Sequence, residues 1–400
     1  MSKPSIIILM HYLELGGAEM ALIGLLSALD PEKVDVDLFI YDHRGPLMRF
    51  IPEHINLLPE KRDYSVIERP LSEALKKGCF GTVMGRLLSK IAYKRCFRSH
   101  HSHEDDISYY DYLGRFVTPF LHKISPGKNY DLAISFLIPH QITRAKVNAK
   151  KYLAWIHTDY STVQINPVAE LKTWNSYDHI ASISREVAKS FLTVFPSLKD
   201  KVVPIENILP VSYIKKRADE KDVSNEMPAD LKLLSIGRFT NAKNFDNVPS
   251  IASELKKHGI INFQWYIIGF GADEELIRRK IAEANVKDKV IILGKKENPY
   301  PYIKACDIYI QPSRYEGKSI TVREAQVLGK PVAITNYPTA KSQVINGKDG
   351  VIVPMANEEC AAGIAKFILD SATQNNIKNY LQSHNFGNEE EVSKIYDLIK

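Results

Sequence analysis

Residues 314–332 read RYEGKSITVREAQVLGKPV, set between the apolar runs IYIQPS (308–313) and PVAIT (331–335). The pattern is strand, loop, helix, strand, the repeating unit of a parallel sheet with crossover helices. Ser319 falls at the N-cap, with Ile320 and Thr321 opening the helix. The free amides and dipole of that helix end favour an anion such as phosphate, and Gly317 lets backbone approach it closely. Glu324 lies five residues past the cap, about 7.5 Å along the axis. That offset suits a ribose hanging from a phosphate at the helix start, with Glu316 meeting whatever lies on the phosphate's other side. Carboxylates accept from vicinal hydroxyls, which ribose and hexose both offer.

The same rhythm extends in both directions. In the second half, LKLLSIG (231–237), FQWYIIG (263–269), VIILG (290–294) and GVIVP (350–354) read as further strands, with helices at VPSIASELKKHG and LIRRKIAEANV between them. In the first half, SIIILM (5–10), VDVDLFIY (34–41), YDLAISFL (130–137), KKYLAWIH (150–157) and HIASIS (179–184) do the same. The expected fold class is therefore α/β, with two doubly wound parallel sheets, which bind ligands outside the carboxyl ends of their strands. Expected boundaries are 1–205, 206–385 and a last helix, 386–400, packing across the two domains. Residues 60–125 read as an irregular basic insertion.

A chain of 400 residues exceeds one typical core, which agrees with two domains. Hydrophobic residues make up 44% and charged residues 25%, the balance of a water-soluble globular protein. Cys79, Cys96, Cys306 and Cys360 are far apart, which speaks against a disulfide framework or a zinc site. The N-terminal apolar run is too short for a signal peptide, and no stretch approaches the roughly 18 apolar residues of a membrane span. A cytoplasmic location is expected. The net charge of +6 is too mild to argue for nucleic acid as a partner. It is unevenly spread, however: KKGCFGTVMGRLLSKIAYKRCFR (Lys76–Arg98) holds seven basic residues and no acidic one. Phe80, Val83, Leu87, Leu88, Ile91 and Ala92 fall there near helical spacing. The segment is either a helix lying on an anionic membrane surface or one docked on its own domain with a solvated basic face.

Two motifs fail. Gly317-Lys318-Ser319 resembles the end of a phosphate-binding P-loop, but the required earlier glycine falls on Pro312. Gly269-Phe270-Gly271 follows a strand, yet the third glycine of a dinucleotide fingerprint is Glu274, and three acids there repel a pyrophosphate. Metal signals are poor. Asp35-Val-Asp37 alternates as strand residues do, its charges fitting a sheet edge, and HHSHEDD (His100–Asp106) reads as a solvated loop.

The two glutamates with their flanking strands resemble the motif of two Glu separated by seven residues in retaining GT-B-fold glycosyltransferases, most like family four, the group 1 glycosyltransferases. LGGAE (15–19) is similar to that family's first glycine-rich loop, and SIGRFTNAKN (235–244) to its G-R…K-N signature. IIGFG (267–271) and ILGKKEN (292–298) are similar to its nucleoside-side loops. The resemblance implies a GT-B architecture of two Rossmann-like domains facing a central cleft. It implies that Arg238 and Lys243 bind the donor diphosphate, Glu316 the transferred hexose and Glu324 the ribose. Gly271, Gly317, Lys318, Ser319 and Ile320 complete the donor side. Gly16 and Gly17 offer backbone amides to phosphate, with a simple tight turn as the competing account. His157 falls where the family often has a histidine touching the hexose; a structural histidine is the alternative. Asp159 is a weaker candidate to orient it, and His11 and His140 favour loop or core roles.

The implied activity is transfer of a hexosyl unit from a nucleoside-diphosphate sugar, commonly UDP-linked, to an acceptor hydroxyl with retention. No metal cofactor is expected. The acceptor is a saccharide or lipid-linked saccharide, as in surface-polysaccharide assembly, with peripheral attachment to the cytosolic membrane face if Lys76–Arg98 meets lipid. The alternatives are a sugar-nucleotide epimerase on the same fold and a non-catalytic nucleotide-sugar-binding or membrane-scaffolding protein.

Overall fold

A computed structural model describes residues 3–14, 16–96, 107–161, 163 and 165–400. Leu15, Phe97, Arg98 and the HHSHEDD stretch lie outside the described residues. The chain forms two compact units, Met1–Pro210 joined by Asn388–Lys400, and Val211–Gly387.

The first unit is built on seven strands: β1 (Ser5–Met10), β2 (Asp35–Ile40), β3 (Asn56–Leu57), β4 (Tyr130–Ser135), β5 (Ala149–Ile156), β6 (His179–Ser182) and β7 (Val202–Pro204). Their order is β3-β2-β1-β4-β5-β6-β7, and every pairing is parallel. Ile6 to Met10 and Leu132 to Ile134 are almost fully buried, as strands covered by helices on both faces must be. Asp37 is not an edge charge. It sits on an inner strand and is buried, accepting from Tyr130 OH at 2.5 Å, Asn56 Nδ2 at 2.8 Å and Lys128 Nζ at 2.9 Å.

The region from 60 to 125 departs from the expected irregularity. It contains the helices Arg62–Ser65, Leu71–Lys76, Phe80–Cys96 and Ile107–Val117. Gly81 and Gly85 each disfavour a helix by propensity, since glycine costs about 1 kcal/mol there. Both prove to be contact points. A Cβ at Gly81 would come within 2.9 Å of Phe120, and one at Gly85 within 2.6 Å of the Phe116 carbonyl. Close packing outweighs intrinsic propensity.

The final helix, Val392–Ile399, packs on the first unit. Tyr396 OH accepts from the Asp30 amide at 2.8 Å, and Lys151 Nζ donates to the Leu398 carbonyl at 3.0 Å.

The second unit has six parallel strands: β8 (Lys232–Ile236), β9 (Gln264–Ile268), β10 (Val290–Gly294), β11 (Ile308–Gln311), β12 (Val332–Thr335) and β13 (Val351–Val353). The order is β10-β9-β8-β11-β12-β13. Leu233, Trp265, Ile267, Ile308 and Ile310 form the middle of its core with Ile251 and Leu255 of the helix Val248–Lys257.

Candidate active site

In the second unit β8 and β11 are neighbours whose chains then run in opposite directions, to β9 and β10 on one side and to β12 and β13 on the other. Such a reversal opens a crevice between the two loops that follow. The loop after β8 carries Arg238 and Lys243; the loop after β11 carries Glu316, Gly317 and Ser319. Their placement at one switch point follows from strand order alone.

Hydrogen bonds join the two loops. The Arg314 amide donates to the Ala242 carbonyl at 2.9 Å, Arg314 Nη1 to the Asn241 carbonyl at 2.6 Å, and Asn244 Nδ2 to the Pro312 carbonyl at 2.8 Å. Asn244 is left-handed (φ 61°), a conformation asparagine tolerates better than other side chains with a Cβ. Arg314 also holds both carboxylate oxygens of Asp246 at 2.8 and 3.0 Å, and Lys280 Nζ adds a contact at 2.9 Å. Burial alone would raise the Asp246 carboxyl, but these cations together outweigh it and hold it below the usual range. Arg314, Asp246 and Asn244 were not among the expected site residues. Asparagine in K-N was the one signal in the sequence, because its partner lies 68 positions away.

Glu316 is buried and accepts from Lys243 Nζ at 2.5 Å and Ser313 Oγ at 2.7 Å. Its backbone carbonyl accepts from Thr339 Oγ1 at 2.7 Å. The two residues expected on opposite sides of a glycosidic bond are thus an ion pair. Arg238 is exposed, and among the described residues its guanidinium has no ion-pair partner.

Gly271 has a structural account. Its loop crosses the loop after β8, with Gly237 and Phe239 amides donating to the Ile268 and Phe270 carbonyls at 3.0 and 2.8 Å. Gly271 sits at φ 155°, where a Cβ would lie 2.5 Å from the Phe239 carbonyl oxygen. Gly317 differs: a Cβ there would meet nothing within 4 Å, so packing within the protein does not demand glycine. Lys318 beside it is exposed.

The helix after this loop spans Ile320–Val327. Ser319 occupies the N-cap position, but its hydroxyl makes no capping bond and lies 3.1 Å from Thr321 Oγ1. Its amide donates to Gln343 Oε1 at 2.9 Å, while Gln343 Nε2 donates back to the Ser319 carbonyl at 2.6 Å. Ser319 thus takes the expected N-cap position without a side-chain cap; Gln343, from beyond β12, satisfies its backbone, and the first-turn amides from Ile320 onward are donors that a helix leaves without intrahelical partners. Glu324 is no solvated helix charge either. It is 6% exposed and accepts from Tyr300 OH at 2.9 Å. Removal from water pushes its carboxyl up to about 7, against a smaller downward pull from Tyr300.

In the first unit, Gly16 and Gly17 precede and open the helix Gly17–Ala28. A Cβ at Gly16 would collide with the carboxylate of Glu19, which folds back over it. That carboxylate stands at the helix start where a phosphate was expected. His157 follows β5, half-buried against Phe136, 4.7 Å between ring centroids. Burial pushes its imidazole down to about 4, against a smaller upward effect of its hydrogen bond with the Phe136 backbone. Its Nε2 is closed to solvent with no hydrogen-bond partner. Asp159 is engaged by the amide and hydroxyl of Ser161 at 2.9 and 2.7 Å. His11 pairs with Glu68, and His140 Nδ1 lies 2.8 Å from Ser135 Oγ in the core. Among the described residues no cluster of three or more His, Cys, Asp or Glu is arranged to hold a metal.

Residues 216–384 match the family model described as glycosyl transferases group 1. They form a group 1 glycosyl transferase domain. This domain contains Arg238, Lys243, Gly271, Glu316–Ile320 and Glu324, whereas Gly16, Gly17 and His157 lie outside the matched stretch. The chain is 26% identical over 281 residues to an uncharacterized glycosyltransferase of Methanocaldococcus jannaschii, covering 64% of this chain and 70% of the relative. It is 26% identical over 173 residues to N-acetylgalactosamine-N,N'-diacetylbacillosaminyl-diphospho-undecaprenol 4-alpha-N-acetylgalactosaminyltransferase of Campylobacter jejuni, covering 43% and 44%. The Anabaena HepE structure in complex with UDP and glucose superposes with a TM-score of 0.65 at 14% identity, over 98% of each chain. That likeness shows the fold, which is GT-B. The family makes the group 1 domain that of a transferase; its donor, acceptor and stereochemistry are matters for the site itself.

Proposed function

We propose that this protein moves a hexosyl residue from a UDP-linked sugar to an acceptor hydroxyl with retention of configuration. What carries the reading is the meeting of Lys243 and Glu316 at the switch point, beside exposed Arg238 and a helix start. Arg238, Lys243 and the amides from Ile320 onward receive the diphosphate, and two cations with a helix end offset its charge without a resident metal. Lysine has three donors, so Nζ can keep Glu316 while binding a phosphate oxygen. Glu316 is thereby aimed at hexose hydroxyls next to the leaving group. Donor backbone passes over Gly317, the glycine that packing leaves unexplained. Glu324, one and a half turns along, takes the ribose hydroxyls.

In the transfer, the acceptor oxygen attacks the anomeric carbon from the face the diphosphate leaves. The bond to the phosphate oxygen breaks, and that oxygen takes the acceptor proton. No carboxylate base is required. The acceptor is a saccharide, free or lipid-linked, in surface polysaccharide or glycolipid synthesis; the Campylobacter relative is named for a diphospho-undecaprenol acceptor. A lipid-linked acceptor requires work at a membrane surface, on the cytosolic side.

The test is incubation with a panel of nucleotide sugars and saccharide acceptors, with the anomeric configuration of the product read by NMR. Transfer with retention is expected. A donor altered at a ring carbon without any acceptor would replace this reading with an epimerase, and binding without turnover across the panel would replace it with a binding protein.

A further inference from the structure

The helix Phe80–Cys96 of the first unit has its faces reversed. Its buried positions are Thr82, Gly85, Arg86 and Ser89. Arg86 Nη1 donates to the Val66 and Arg69 carbonyls at 3.0 and 2.5 Å, and Ser89 Oγ to the Arg86 carbonyl at 2.8 Å. Its outward positions are Phe80, Met84, Leu87, Leu88 and Ile91, exposed by 68%, 50%, 47%, 42% and 51%. At 3.6 residues per turn the two sets fall on opposite sides of the helix. Single exposed apolar residues need no explanation, but a continuous stripe does. Leu75 is exposed too, and Phe120, which touches Gly81, extends the patch.

Exposed Lys90, Lys94 and Arg95 flank the stripe, with Lys76 exposed just before the helix. Among the described residues no helix is long and apolar enough to cross a membrane. The 17-residue helix therefore has the makings of an interfacial element rather than a span.

We propose that this face docks on an anionic lipid bilayer, with the five apolar side chains in the boundary between headgroups and acyl chains and the cations against lipid phosphates. A second copy of the chain is the poorer occupant. An isologous contact sets the same patch against itself, which would bring basic residues of like charge together around the stripe. An anionic surface complements both the apolar centre and the basic rim. The sequence left open whether this segment meets lipid or docks on its own domain; the structure has it docked through small and polar residues, which leaves the apolar face outward. The inference goes beyond the transfer reaction and is read without turnover, so failure of the donor assignment leaves it standing.

The experiment is flotation of the full chain with vesicles of phosphatidylcholine alone or mixed with phosphatidylglycerol. The wild type is expected to float with the mixed vesicles and much less with neutral ones. Leu87→Asp combined with Ile91→Asp should lower partitioning about tenfold or more. Lys90→Gln and Lys94→Gln should each lower it about fivefold. All four side chains are exposed, so melting temperatures should be unchanged. A wild type that ignores both vesicle types overturns the proposal. So does flotation that the Asp variants leave intact, or a wild-type dimer that those variants dissolve and that never binds lipid.

Discussion

Glu324 shows how far a residue's type and spacing can mislead about its state. The sequence places it correctly on the helix, five residues past Ser319, but does not reveal Tyr300 or that no cation stands beside it among the described residues. Its ordinary value of 4.5 rises to about 7, so the folded protein holds this proton more tightly than the unfolded chain. Stability from this group is complete below pH 4.5 and is lost as pH rises through 7, a cost of about 3 kcal/mol on the alkaline side. Glu324→Gln should therefore gain on the wild type by about that amount between pH 4.5 and 8, seen in urea unfolding at both ends. A constant difference across that range would mean that the carboxyl is not buried as described. Lys243 makes the complementary case. The sequence marks it as a phosphate ligand, yet its partner here is Glu316. Removing it as Lys243→Ala strips the proposed contact with the sugar donor and leaves the buried Glu316 carboxylate without its cation. If the contact with the leaving group is worth 2–3 kcal/mol, turnover falls roughly 30- to 150-fold. Steady-state kinetics near the wild-type rate would count against the assignment.

At the level of elements, most strands were legible because each is a short, densely apolar run between turn residues, as in SIIILM and VIILG. Their order was not, since nothing local records that β8 lies beside β11, and that adjacency makes the site. The loops were recognisable by glycine, but glycine has two meanings that only packing separates. Gly271 is required by the crossing over Phe239, whereas Gly317 faces open space. Gly271→Ala should cost about 1–3 kcal/mol of stability through its clash and positive φ. Gly317→Ala should leave the melting temperature within about a degree or two of wild type while weakening kcat/KM for donor about tenfold or more. Thermal melts and donor kinetics on the same two proteins separate the roles. If Gly317→Ala turns over normally, the donor does not pass over this loop. Between 60 and 125 the helices Arg62–Ser65, Leu71–Lys76 and Ile107–Val117 escaped sequence analysis, whereas Phe80–Cys96 was marked by its helical spacing despite two glycines. Gly81 and Gly85 look like helix breakers until Phe120 and the Phe116 carbonyl are seen against them.

On the scale of the whole molecule, chain order and structural membership diverge. The last helix follows the group 1 domain in sequence, yet it completes the first unit. Asn388 Oδ1 accepts from the Leu209 amide at 3.0 Å, Glu391 Oε2 from the Glu206 amide at 2.8 Å, and Lys394 Nζ donates to the Pro204 carbonyl at 3.0 Å. Ile395 is fully buried. The sequence marks a last helix that packs on its surroundings, but an apolar stripe does not name its partner. Deleting residues 388–400 should therefore loosen the first unit and spare the second. In hydrogen exchange, β1, β4 and β5 should lose protection while β8, β9 and β11 keep theirs. A nucleotide sugar at 100 times its dissociation constant should still stabilise the second unit by about 2.7 kcal/mol, because the residues proposed to hold the donor remain in place. Faster exchange in β8 and β11 of the truncated chain would instead mean that the final helix supports the donor-binding unit, and this division of the chain would be wrong.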